Sequence, residues 1–169
     1  TIIQPILSGI ADYSGNKKLF LRIFMYLGSF SCMFLYFFEG PNIEFGIIFY
    51  VLASVGFTGS LVFYNAFLPE ISTPDNFDKI SARGYSFGYI GSVILLIICL
   101  ILIQGFEFFG FENSKEATKF TFLLVGIWWI LFAQITLHYL EEKPKKIILN
   151  KTILTYGAKE LFKVWNYIK

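Results

Sequence analysis

The chain has 169 residues, of which 56% are apolar, only 15% are charged and 21 are phenylalanine. An ordinary soluble domain has roughly a quarter of its residues charged, so this composition argues against a soluble domain and indicates a polytopic membrane protein. The net charge of +2 gives no support to nucleic-acid binding.

Five apolar stretches divide the chain into predicted membrane elements. Residues 1–10 are apolar, and because the sequence opens without methionine we expect them to be the end of a span whose start is missing. Four further stretches are long enough to cross a bilayer, which takes about 20 helical residues. They are residues 19–38, 45–68, 84–104 and 120–140. The sequence therefore predicts an all-α polytopic membrane protein.

The basic residues predict how these spans are oriented. Two of the 14, Lys115 and Lys119, lie in connectors on one side, and the other twelve lie on the opposite side. By the positive-inside rule the basic side is cytoplasmic. Residues 39–44 and 105–119 should then face outward, and the C-terminal tail should be cytoplasmic.

The tail, residues 141–169, differs from the spans because it contains seven lysines. Its apolar residues recur at spacings of four and three: Leu154, Ala158, Leu161, Trp165 and Ile168. Such a stripe with lysines mostly off it predicts a basic amphipathic linker helix that lies on the membrane surface or against the protein.

The first cytoplasmic connector contains a motif made of Gly9, Asp12, Gly15, Lys17 and Lys18. Glycine permits the left-handed turn of a short link between helices, and lysines hold a helix start at an anionic leaflet. A carboxylate that follows a helix C-terminus is disfavoured by the helix dipole, so Asp12 needs a partner elsewhere. A plain charged turn is the alternative interpretation.

The motif resembles the signature of the major facilitator superfamily, in which a glycine, an aspartate and a second glycine precede basic residues between spans two and three. Two further stretches, residues 59–69 and 81–92, are similar to its vacuole-effluxer-like branch. Residues 45–68 contain no arginine and residues 84–104 lack the glycine-proline pattern of drug antiporters, so a drug exporter is less favoured.

The resemblance implies that this chain is part of the N-terminal half of a major-facilitator-type bundle, from the end of span two to span six and the central linker. It implies a secondary-active transporter that moves a small solute by alternating access, with amino-acid efflux as the suggested activity. The five motif residues would form the cytoplasmic gate. The partners would be the lipid bilayer, the solute and a missing second half of the same chain, in a bacterial inner membrane.

Polar residues inside the spans are candidates for the lining of a substrate cavity, because such groups usually face protein or water. These are Ser54, Thr58 and Asn65 in residues 45–68, which the resemblance makes span four, and Tyr85, Tyr89 and Ser92 in residues 84–104, which it makes span five. A neighbouring stripe of Gly84, Gly88 and Gly91 predicts close helix packing. Alternatively, the serine and threonine hydroxyls bond their own helix and the tyrosines mark the interface.

Two other classes of protein share this composition. A membrane-embedded enzyme of lipid or cell-envelope synthesis should show catalytic clusters, but Glu70, Asp75 and Asp78 suit no strong metal motif. A structural membrane protein gives no reason for the glycine-aspartate-glycine-lysine spacing. We therefore predict a transporter rather than an enzyme, with neither cofactor nor metal. His138 is interpreted as an interfacial residue, with Gln134 one turn earlier as a possible partner.

Overall fold

The computed structural model describes residues 16–140. Its α-helices are α1 (Lys17–Phe34), α2 (Ile43–Ala66), α3 (Leu68–Ile71), α4 (Phe77–Gln104) and α5 (Ser114–Tyr139), and 3₁₀ turns form at Leu35–Phe37 and Pro74–Asn76. Four of these elements are long and apolar enough to cross a membrane. The prediction of an all-α polytopic fold is therefore confirmed, while the partial span 1–10 and the linker helix 141–169 lie outside the described residues.

The connectors contain the residues that stop one helix and start the next. Pro69 and Pro74 occupy first-turn positions of the short elements after α2, where a missing backbone N–H is tolerated. Before α5, the Asn113 side chain accepts a hydrogen bond from the Glu116 backbone N–H, and the Glu116 carboxylate accepts one from the Glu112 N–H. The first contact satisfies an N–H group that the first turn leaves unpaired, and the second ties the connector back onto that turn, as in a capping box.

Helix α1 lies at the centre of the bundle, between α2 and α5. On the α2 side, a Cβ atom at Gly56 would overlap the backbone of Gly28. On the α5 side, a Cβ atom at Gly126 would overlap Met33 and the carbonyl of Ser29. Small residues let the backbones approach on both sides, which is the usual basis of helix association in lipid.

An apolar core fills one end of this three-helix contact. It consists of Leu21, Met25, Phe63, Phe67 and Leu137. Phe20 and Phe24 stack on Phe63, with ring centroids 5.1 and 5.7 Å apart. The core therefore fixes the start of α1 against the end of α2 and the end of α5.

Helix α4 lies at the edge of the bundle. It packs against α5, and Cys99 is the residue of α4 that is buried. The helix begins at Phe77, earlier than the predicted span that starts at Gly84, so its first turns extend past that predicted boundary. Most of its surface contacts no other described helix.

Two ion pairs mark opposite ends of the bundle. Lys17 pairs with Glu70 at 2.8 Å at the end where α1 begins, which we call the basic end. Lys119 pairs with Glu39 at 3.6 Å where α1 gives way to its connector. The connectors predicted to face outward thus share one end of the bundle, and which side of a membrane that end faces stays a prediction.

Candidate functional site

The structure describes two of the five predicted gate residues. Lys17 and Lys18 form the first turn of α1, whereas Gly9, Asp12 and Gly15 lie outside the described range. No acidic residue lies in that first turn. Cations are disfavoured at the positive end of their own helix dipole, so both ammonium groups gain from partners on other helices.

Lys17 connects the start of α1 to the end of α2. Its Nζ donates to the backbone carbonyl of Ala66 at 2.9 Å and to Oε1 of Glu70 at 2.8 Å. Ala66 is the last residue of α2, and a carbonyl there has no partner within its own helix. The Lys17 side chain is 15% exposed and that of Glu70 is 38% exposed. Since the carboxylate is partly solvated, the carbonyl bond is the better shielded of the two contacts.

Lys18 connects the same turn to a different helix. Its Nζ donates to the carbonyl of Leu140 at 2.7 Å, at the C-terminal end of α5. Two adjacent lysines therefore join the start of α1 to the C-terminal carbonyls of two helices, where a cation is favoured by the dipole. We call Lys17, Lys18 and their acceptors on Ala66, Glu70 and Leu140 the lysine clamp.

The structure brings together two of the six candidate cavity residues. Nδ2 of Asn65 lies 3.5 Å from the hydroxyl of Tyr85, at the long limit of a hydrogen bond. Beside this contact, a Cβ atom at Gly84 would approach the Tyr64 hydroxyl to 2.7 Å. At the basic end of the bundle, α2 and α4 thus meet through neutral polar groups.

The other four candidates are not brought together. The Ser54 and Ser92 hydroxyls each donate to a carbonyl of their own helix at 2.8 Å, on Tyr50 and Tyr89 respectively. This geometry matches the alternative in which the serines bond their own backbone. Thr58 is half-buried, and Tyr89 is 72% exposed on the open face of α4. Their role as a cavity lining stays a prediction.

The glycines of α4 differ from one another in their surroundings. Gly84 lies against Tyr64, but a Cβ atom at Gly88 or Gly91 would meet nothing within 4 Å among the described residues. Close backbone approach occurs instead at Gly56 and at glycines on α1 and α5. Sequence reasoning missed these glycines, although Ala53, Gly56 and Gly59 also form a small-residue stripe, at intervals of three and three where the α4 stripe has four and three.

Gln134 bonds across helices rather than to His138. Its Nε2 donates to the hydroxyl of Tyr26 on α1 at 3.1 Å. Both partners were visible in the sequence as polar groups within spans. Their pairing was not, since it depends on how α1 and α5 are set against each other.

Comparison with known proteins gives a consistent result. The model of the family described as "Vacuole effluxer Atg22 like" matches residues 1–169. The chain is 33% identical over 156 residues to the uncharacterized MFS-type transporter YxiO of Bacillus subtilis, covering 88% of this chain and 36% of that protein. It is 22% identical over 220 residues to autophagy-related protein 22-2 of Aspergillus niger, covering 95% of this chain and 37% of that protein.

The chain is also 25% identical over 187 residues to autophagy-related protein 22-1 of Phaeosphaeria nodorum, covering 89% of this chain and 33% of that protein. It thus spans about a third of the length of these relatives. No solved structure shows a significant match.

Proposed function

The chain belongs to the vacuole effluxer Atg22-like family, and from this premise we propose that it forms part of a secondary transporter that exports a small polar solute by alternating access. In such a mechanism two helical halves rock against each other around a central site. The described helices would supply most of one half, and the rest of a longer chain would supply the other.

The observation that carries this proposal is the lysine clamp. Lys17 and Lys18 join the start of α1 to the ends of α2 and α5 through contacts of 2.7 to 2.9 Å. These contacts lie within one half, so they would keep it rigid while it rocks. The clamp occupies both lysines of the motif with acceptors in the same half. Asp12 would then make the contact that changes between states, reaching a basic side chain or a helix N-terminus in the other half.

The candidate cavity supports a neutral or zwitterionic solute. Asn65 and Tyr85 present an amide and a hydroxyl at the contact between α2 and α4, and neither residues 45–68 nor residues 84–104 contain a charged side chain. An amide and a hydroxyl can each donate and accept hydrogen bonds, which suits the amino and carboxylate groups of an amino acid. We therefore take amino acids as the substrate class, and the description of the matching family as a vacuole effluxer supports efflux as the direction.

Reconstitution of the intact protein tests both parts of the proposal. Proteoliposomes would be loaded with a mixture of the twenty amino acids, and release would be followed by mass spectrometry. Liposomes that contain the same mixture but no protein would give the background. We expect selective release of a subset, and we expect Asp12→Asn to slow it because the mutant loses a charge-assisted contact. Such a contact is worth roughly 1.5–3 kcal/mol, which shifts a two-state equilibrium by roughly ten- to a hundredfold.

Asp75→Asn is the matched control, because Asp75 is an exposed carboxylate in the connector between α3 and α4. It should leave release unchanged. Equal release by Asp12→Asn and the natural protein would contradict the gate. Release of no amino acid, with the protein correctly inserted, would contradict the substrate class.

A further inference from the structure

A basic pocket lies between the start of α1 and the end of α5. It has a volume of about 470 Å³ and is lined by Lys18, Arg22, Gln134, Leu137 and His138. Each helix contributes two polar side chains four residues apart, and residues at that spacing share a helix face. None of these described lining residues is acidic, so the pocket collects cationic and N–H-donating groups.

Arg22 is the group best suited to bind an anion in this pocket. Within residues 16–140 the ion pairs join Lys17 to Glu70 and Lys119 to Glu39, and neither uses the Arg22 guanidinium. A guanidinium can form two parallel hydrogen bonds to a phosphate. His138 adds an imidazole N–H, which is a donor in either tautomer. Lys18 lies at the edge, where its ammonium donates to Leu140.

An apolar track continues from the pocket along the same two helix faces. Gln134, which lines the pocket, donates a hydrogen bond of 3.1 Å to the Tyr26 hydroxyl and so joins α5 to α1 where this track starts. On α1 the face continues to Phe30, which stacks on Tyr26 and is 48% exposed. On α5 it continues to Leu131 and Ile127, which are 59% and 43% exposed. A cationic pocket is thus followed by apolar surface in the direction of the membrane interior.

We propose that the pocket binds the phosphate headgroup of an anionic phospholipid, with its acyl chains along the apolar track. The basic side chains match the charge of the phosphate, and the pocket lies at the basic end of the bundle, where α1 begins and α5 ends. Basic pockets between spanning helices are suited to lipid headgroups, and the volume lies within the roughly 300–1,000 Å³ of small-molecule sites. A soluble anion would use the pocket alone, whereas a lipid uses the pocket and the track. The lipid would hold α1 against α5, whatever solute is transported.

Thermal unfolding of the intact protein in detergent tests this site. The unfolding midpoint would be measured while phosphatidylglycerol or phosphatidylcholine is added, for the natural protein and for Arg22→Gln. Phosphatidylglycerol should raise the midpoint of the natural protein more than phosphatidylcholine does. Its apparent affinity for Arg22→Gln should be roughly five- to tenfold weaker, as one lost basic contact at a membrane surface implies.

Arg83→Gln is the matched control, because it removes the same charge near the start of α4 and outside the pocket. It should keep the natural response. His138→Ala tests the opposite wall of the pocket should Arg22→Gln fail to fold, and it should also weaken the response to phosphatidylglycerol. Equal loss in Arg22→Gln and Arg83→Gln, or an unchanged response in Arg22→Gln, would overturn the site. Equal stabilisation by inorganic phosphate at matched ionic strength would overturn the lipid as its ligand.

Discussion

Helices α1 and α4 are both apolar enough to cross a membrane, yet they differ in how they are packed. The most apolar part of Lys17–Phe37, which contains α1, has a mean hydropathy of 1.6 and 33% of its residues are buried, against 2.7 and 6% for Pro74–Gln104, which contains α4. The less hydrophobic helix is therefore the central one. In lipid, apolar side chains gain little by moving from acyl chains to protein. Hydropathy thus predicts insertion, and small residues and polar contacts decide packing.

The open face of α4 also differs from a plain lipid-facing surface. It exposes Tyr85 and Tyr89, which are 43% and 72% exposed, alongside Gly88. Polar and small residues inside a span usually face protein or water. Under the proposed function, this face would pack against the other half or line the solute path, while α1 holds its own half together.

The largest expected effect comes from adding one methyl group to a glycine in the centre and to a glycine at the edge. Gly56→Ala should destabilise the protein by on the order of 3 kcal/mol, because its Cβ meets the backbone of Gly28, which cannot move aside as a side chain can. Gly88→Ala should be neutral or should stabilise by about 0.5–1 kcal/mol, since its Cβ meets nothing in the described helices and alanine favours the helix.

Unfolding in a detergent titration, followed by tryptophan fluorescence, measures both variants. Equal stability of the two would contradict the distinction between centre and edge. If Gly88→Ala stays stable but loses transport, the α4 glycine face would be assigned to contact with another part of the longer chain.

The glycine comparison shows how far the sequence could predict the fold. The four spans followed from long uncharged stretches, because bilayer thickness sets their length. The packing did not follow, because Ala53, Gly56 and Gly59 on α2 and Gly84, Gly88 and Gly91 on α4 are both small residues repeated every three or four positions. Only the neighbouring helix distinguishes a small-residue stripe that is packed from one that is open.

For the candidate site, the sequence likewise identified residues but not the partners that they contact. The motif identified Lys17 and Lys18 as important, but the sequence suggested that they anchor α1 at an anionic leaflet. The structure gives them acceptors on Ala66, Glu70 and Leu140, while the anchoring at a leaflet stays a prediction. Contacts with backbone carbonyls so distant in sequence leave no pattern in residue types, so only the packing of α1 between two helix ends reveals them.

A smaller effect separates the two contacts that Lys17, at the start of the central helix α1, makes at the basic end of the bundle. Lys17→Gln should cost about 1–2 kcal/mol, since it removes a charge-assisted bond to a part-buried carbonyl as well as the ion pair. Glu70→Gln should cost less than about 1 kcal/mol, because that carboxylate is partly exposed. Lys79→Gln removes an exposed lysine near the start of α4 and serves as the edge control.

A double-mutant cycle of Lys17→Gln and Glu70→Gln, measured by the same detergent unfolding, isolates the ion pair from the carbonyl contact. Equal costs for Lys17→Gln and Lys79→Gln would mean that the clamp does not hold the half together.

The smallest expected effect on stability concerns the contact between α2 and α4. The same substitution is the most informative one about function. Tyr85→Phe removes a hydroxyl whose partner, the Asn65 amide, is 3.5 Å away and exposed. A bond at that distance contributes little, and water can replace it, so the unfolding free energy should change by less than about 0.5 kcal/mol. If the hydroxyl binds the solute, its loss should raise the apparent KM for release roughly tenfold while insertion is unchanged.

Tyr50→Phe is the control: it removes an exposed hydroxyl from α2 outside the candidate set, and it should alter neither the unfolding free energy nor the KM. A stable Tyr85→Phe protein with the natural KM would remove Tyr85 from the solute path. A marked loss of stability would instead make the contact with Asn65 part of the fold, and α4 would be fixed to α2 as well as to α5.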